Sequence, residues 1–116
     1  IDAVIGTGLQ EAPRARQMAL VRAAQAASGP VLSLDVPSGV NADSGETPGF
    51  AVLPARTLTL GLPKQGLTRE NAGELWVADL GIPPGVFARA GVSFSPIFGR
   101  ETRLRLSYPG EGDAAE

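Results

Sequence analysis

The chain has 116 residues, the size of one small domain with a modest core, and a formal net charge of −2. Its 10 Lys and Arg residues are scattered and form no stripe that would neutralise a nucleic-acid backbone, which sets nucleic acid aside. With no Cys there is no disulfide, thiolate or Cys-based metal chemistry, and with no His any proton transfer near neutral pH falls to carboxylates, Lys, Tyr or water.

Fifteen Gly and 10 Pro among 43% hydrophobic residues describe a globular chain rich in turns. No apolar run approaches the ~20 residues that span a bilayer. "IDAVIG" opens the chain without a Met as a short apolar run closed by glycine, the pattern of the end of a buried parallel strand. The expectation is that an upstream portion is missing. From Pro13 to about Ser28 the sequence predicts a helix, with Pro13 in the first turn and "SGP" as the stop. Arg14, Gln17, Arg22 and Gln25 fall on one face, and Ala19, Ala23 and Ala26 form a small-residue face suited to lie on a sheet. Arg16 falls near that apolar side, where the helix end lets solvent reach it.

"VLSLD", Val31 to Asp35, predicts the next strand, and strand, helix, strand at this length fits a right-handed crossover in a parallel sheet. Thr57 to Leu60 alternate before Gly61, and "ELWVADLG" predicts a strand from Glu74 to Gly81, with "LPKQGLTRENAG" as loop between them. Beyond Pro84 the pattern weakens, although "RLRLSY" alternates cleanly and predicts an edge strand. The division expected is a partial domain over 1–106 and a tail or linker over 107–116.

In an open parallel sheet ligands bind outside the carboxyl ends of the strands, so "GTGLQE", "DVPSG", "GLPKQG" and "DLGIPP" are expected on one rim. Gly6, Thr7 and Gly8 can bring backbone N–H groups close to an anion or form a plain tight turn; a full dinucleotide fingerprint is excluded because Glu11 stands where the third glycine belongs. Asp35 either offers a carboxylate at the rim for proton exchange or caps the backbone of its own turn, with Ser38 close behind it. Asp2 lies inside an apolar run, where an unpaired charge is costly, and wants a cation, a hydrogen-bond cluster or exposure. Asp2 and the Ser38 hydroxyl are hard oxygen donors for a group-I or group-II cation. Lys64 either meets a phosphate or is solvated. Asp79, Asn41, Asp43 and Ser44 read as turn residues.

Taken together, "DAVIGTGL", "PVLSLDVPSGVNADSGETPG", "AVLPARTLTLGLPKQGL" and "GELWVADLGIPP" resemble, in order and over about the first 84 residues, the NAD(P)H-hydrate epimerase family, the YjeF N-terminal type of domain. The resemblance implies a Rossmann-like three-layer α/β/α fold with a mostly parallel sheet. It also implies an isomerase that interconverts the R and S epimers of hydrated NADH or NADPH. By the same resemblance Asp35 is the acid/base in the substrate site, Asp2 and Ser38 are potassium ligands, and the substrate is contacted by Gly6, Thr7, Gly8, Leu9, Gln10, Glu11 and Ala12. That loop would hold the pyrophosphate side of the substrate. The partners implied are the hydrated coenzyme and a dehydratase, as a further domain or a separate protein, with a homodimer left open and a cytoplasmic setting.

The family's domain also has an N-terminal half with an "NGGDG"-type loop that helps bind substrate and potassium, and these 116 residues contain no such segment. The expectation is a chain carrying the C-terminal half of the site, with weak or absent activity by itself and an exposed sheet edge. A non-catalytic nucleotide- or protein-binding module on the same fold is the alternative. A general NAD(P)-dependent oxidoreductase is disfavoured by the incomplete glycine pattern.

Overall fold

The computed structural model describes residues 1–111. Four strands, β1 (Leu32–Leu34), β2 (Arg56–Leu60), β3 (Glu74–Ala78) and β4 (Arg103–Arg105), form one sheet in the order β1-β2-β3-β4. β1, β2 and β3 are parallel, and β4, the edge strand expected from the alternation of "RLRLSY", runs antiparallel beside β3. The opening "IDAVIG" contributes a single parallel bridge, Asp2 to Ser33, beyond β1: Asp2 N donates to Leu32 O and Leu34 N to Asp2 O, both at 2.8 Å. The architecture is a Rossmann-like α/β fold with a mostly parallel sheet.

In β2 the buried side chains are Thr57 and Thr59, while Leu58 and Leu60 lie on the more open face. The threonines tolerate burial because their hydroxyls find acceptors, Thr57 Oγ1 donating to Ala72 O at 2.7 Å. The buried face continues through Ser33 on one side and Leu75 and Val77 on the other. The core cluster is Val36, Val40, Ala42, Leu67, Ala72 and Leu75, so the Val36–Ala42 turn packs onto β3 from beyond the end of β1. Gly39 lets the same turn lie against the Phe50–Ala51 backbone: its φ is +102°, and a Cβ there would lie 2.4 Å from Phe50 O.

Three expectations are corrected. The first helix, α1 (Ala15–Gln25), exposes Ala19, Ala23 and Ala26. Its inward side is Val21 with half-buried Gln17, Met18, Ala24 and Gln25, because α1 lies on the Gly49–Leu53 segment. Gln25 Oε1 accepts from Leu53 N at 2.7 Å, and the Arg22 guanidinium stands 5.0 Å from the Phe50 ring centroid. Arg16 is exposed, as expected. Next, "LPKQGLTRENAG" is not all loop: Thr68 caps a one-turn helix, α2 (Arg69–Ala72), its Oγ1 accepting from Asn71 N while Asn71 Oδ1 accepts from Thr68 N. Lastly, a short helix α3 (Pro84–Arg89) begins at the second proline of "IPP", where no helix is predicted. Of the expected tail, residues 107–111 are held to the body by Tyr108, whose hydroxyl donates to Gly73 O at 2.6 Å, and by the ion pair of Arg69 with Glu111. Residues 112–116 lie outside the described residues.

Candidate functional site

β1 ends at Leu34, and Asp35 N still donates to Leu58 O at 2.8 Å, so the strand ladder carries this residue to the rim. There the backbone turns: Asp35 has φ +70°, the one non-glycine residue with positive φ among the described residues. Such a conformation costs about 1 kcal/mol or more, least for Asn, Asp or Gly, and recurs at functional sites. The Asp35 side chain does not cap its own turn. Oδ1 accepts from Leu60 N at the end of β2 (3.1 Å) and from Lys64 Nζ (2.6 Å), while Lys64 Nζ also donates to Leu60 O at 2.8 Å. Oδ2 has no hydrogen-bond partner among the described residues and lies on the side of Gly6, where a Cβ would stand 3.9 Å away. The rim loops after the first apolar run, after β1 and after β2 therefore meet at one carboxylate.

The "GTGLQEA" loop is largely exposed, with Gly8 at φ +89°. It is fastened at Leu9, whose carbonyl accepts from Asn41 Nδ2 at 2.7 Å. Asn41 was expected only as a turn residue, and it is one: its Oδ1 accepts from Asp43 N and Ser44 N. Its amide additionally ties the two rim loops together. Asp79 behaves as read, accepting from Gly81 N within its own turn. The fourth rim loop adjoins the third, since a Cβ on Gly61 would stand 3.4 Å from Leu80 Cδ1, but it contributes no hydrogen bond to Asp35.

Below the rim, Asp2 is 1% exposed. Its Oδ2 accepts from Ser33 Oγ (2.7 Å) and Ser38 N (2.9 Å), and its Oδ1 is buried with no partner among the described residues. Ser38 is also buried, and its Oγ accepts from Ile5 N at 2.8 Å. The structure thus brings together Asp2 and Ser38, both expected from the sequence, and adds Ser33, whose only sequence signal is a polar residue at the centre of "LSL". No group of three His, Cys, Asp or Glu able to hold a metal ion occurs among the described residues. Any cation here would rest on one carboxylate and neutral oxygens, a donor set suited to a hard, weakly charged ion. Lys64 is not the solvated residue that the sequence allows: its side chain is 18% exposed and its ammonium pairs with Asp35, 29 residues away.

Residues 1–66 match the family model described as YjeF-related protein N-terminus. Over 92 residues the chain is 54% identical to an NAD(P)H-hydrate epimerase of Dehalogenimonas lykanthroporepellens, a match covering 79% of this chain and 38% of that protein. It is 39% identical over 93 residues to an NAD(P)H-hydrate epimerase of Truepera radiovictrix, covering 79% of this chain and 42% of that one. A bifunctional NAD(P)H-hydrate repair enzyme Nnr of Hyperthermus butylicus is 46% identical over 86 residues, 72% of this chain and 16% of that protein. The chain therefore spans well under half the length of each of these curated relatives.

Proposed function

Because the chain belongs to the family of the YjeF-related protein N-terminus, we propose that it supplies the acid/base of a site that interconverts the R and S forms of hydrated NADH and NADPH. The observation that carries this reading is Asp35, a carboxylate at a strand end with one oxygen anchored by Lys64 and Leu60 and the other facing Gly6. Inverting the hydrated carbon requires its bond to oxygen to break and re-form, or the ring to open and close. By ring opening, the carboxylate takes the hydroxyl proton while the electron pair of the carbon–nitrogen bond moves to nitrogen. Closure on the opposite face returns the proton. No electrons are exchanged, the carboxylate is regenerated, and a single Asp suffices in a chain without His.

The remaining assignments follow the same reading. The Gly6–Ala12 loop, open on its backbone side, would take the pyrophosphate portion of the substrate. Asp2 and Ser38 would hold a potassium ion, because Asp2 Oδ1 is a buried acceptor lacking a partner among the described residues. Such an ion would neutralise the buried charge and fix the turn that carries Asp35. A dehydratase that accepts one epimer is the expected consumer of the product, consistent with the bifunctional name of several relatives. The setting proposed is cytoplasmic, and no helix among the described residues is long and apolar enough to cross a membrane.

The test is epimer exchange. A sample enriched in the R hydrate is incubated with the protein, and the approach to the R/S equilibrium is followed by chromatography against the spontaneous rate. Acceleration that falls on the order of 100- to 10,000-fold in Asp35→Asn, with the thermal midpoint retained, supports the reading. Acceleration that survives Asp35→Asn removes Asp35 from the chemistry, and none in the wild-type chain removes the activity from this chain.

A further inference from the structure

Lys64 has no role in the reaction as set out above, yet it makes the shortest polar contact at the site, 2.6 Å to Asp35 Oδ1. An exposed Lys–Asp pair would mean little, since a free lysine stem spends its attraction on its own ordering. Lys64 is not free. Its ammonium is tethered a second time to Leu60 O, and its side chain is 18% exposed against 22% for Asp35. The loop presenting it is locked too: Gly66 N donates to Ala42 O at 2.8 Å, and Asn71 Nδ2 donates to Gly66 O at 2.7 Å. A Cβ at position 66 would lie 2.5 Å from Asn41 O and Gly45 N, so this loop rests backbone to backbone on the segment following Asp35.

The two oxygens of a carboxylate are equivalent until the surroundings distinguish them, and the last torsion of Asp is soft and roughly two-fold. A half-turn only swaps identical oxygens, but a single amide at 3.1 Å, Leu60 N, leaves smaller rotations of the carboxylate plane open. A charge-assisted bond on the same oxygen closes them. We infer that Lys64 is the positioning residue of this site: it pins Asp35 Oδ1, so that Oδ2, facing Gly6, is the oxygen that exchanges the proton. The substrate hydroxyl is then taken from the Gly6 side of the rim. The inference rests on the epimerase reading for its substrate, while the orientation of Asp35 stands apart from it.

The experiment pairs kinetics with structure in the full chain, for wild type, Lys64→Met and Lys64→Arg. Lys64→Met is expected to lower kcat about 100-fold with KM changed by less than about threefold, and Lys64→Arg to recover part of the loss. A crystal structure of Lys64→Met is expected to show the Asp35 carboxylate turned or split between two orientations. The inference is overturned if Lys64→Met keeps kcat within about threefold of wild type, or if Asp35 holds its orientation without the lysine. Should Lys64→Met fail to fold, Lys64→Gln keeps a stem and a neutral donor and carries both readings. If wild type shows no epimer exchange, the outcome already expected of a chain carrying the C-terminal half of the site, the Asp35 orientation in the variant alone decides the role of Lys64.

Discussion

Asp2 keeps a carboxylate where water does not reach, with one oxygen accounted for and the other not. Ser33 Oγ and Ser38 N serve Oδ2, and Oδ1 stands alone among the described residues. Leaving a buried charged acceptor unsatisfied costs about 1–3 kcal/mol or more, a cost that a bound cation would remove. Binding to the folded state alone adds about 2.7 kcal/mol at a hundredfold excess over Kd, so potassium is expected to raise the thermal midpoint on the order of 10 °C. Scanning calorimetry in potassium chloride against choline chloride at equal ionic strength reads this directly. The rise should vanish in Asp2→Asn, and an equal rise in choline would exclude specific binding. At this scale the sequence is legible where chemistry is written locally. The strand-end position of Asp35 and the compact "VPSG" turn place Ser38 beside Asp2 once strand order is known. Lys64, Ser33 and the second bond of Asn41 are not legible, because each depends on a partner 29 to 32 residues distant.

Among the elements, the strands declare themselves and the helices mislead. The apolar runs around β1 and β3 and the alternation of β4 suffice to locate them. In α1 the alanines fit a buried face or an exposed one equally well, and the side actually covered was set by the Gly49–Leu53 segment. α2 and α3, of 4 and 6 residues, are too short for any periodicity to accumulate and exist through their caps and packing. The open face of the sheet carries an electrostatic tie across three strands: Glu74 of β3 accepts from the Trp76 indole N–H and pairs with Arg56 of β2 (3.1 Å) and Arg105 of β4 (3.3 Å). The Trp76 hydrogen bond first, then Arg105 and Arg56, hold this carboxyl below its ordinary value. A lowered folded value means stability that is complete above the ordinary carboxylate range, about pH 4.3, and lost as pH falls through the lowered value. Urea midpoints measured from neutral pH into acid should therefore fall less steeply for Glu74→Gln than for wild type below about pH 4.3. Parallel curves would show that Glu74 contributes nothing to the acid limb.

The whole molecule is a slab of 40 × 40 × 23 Å with a radius of gyration of 15.1 Å, where an evenly packed chain of about 100 residues has about 13 Å. The excess reflects one sheet face left open, where Val31, Leu32, Leu58 and Trp76, flanked by Arg56 and Arg103, line a groove of about 620 Å³. Trp76 is the single tryptophan, so its fluorescence reports that face alone. Trp76 is half-buried, so acrylamide should quench it measurably in the native chain and more on unfolding in urea; a native tryptophan that resists quenching altogether would mean that another body covers the groove. The hydrogen bonds that build the site, Ser33 to Asp2, Lys64 to Asp35, Asn41 to Leu9 and Ile5 to Ser38, close loops of 29 to 33 residues. No local stretch can prefigure them, and the entropy of closing such loops falls due before the contacts form. The rim is therefore expected to form late in folding, and in a refolding experiment the protection of the Ser38 amide, which bonds Asp2, should appear after that of α1.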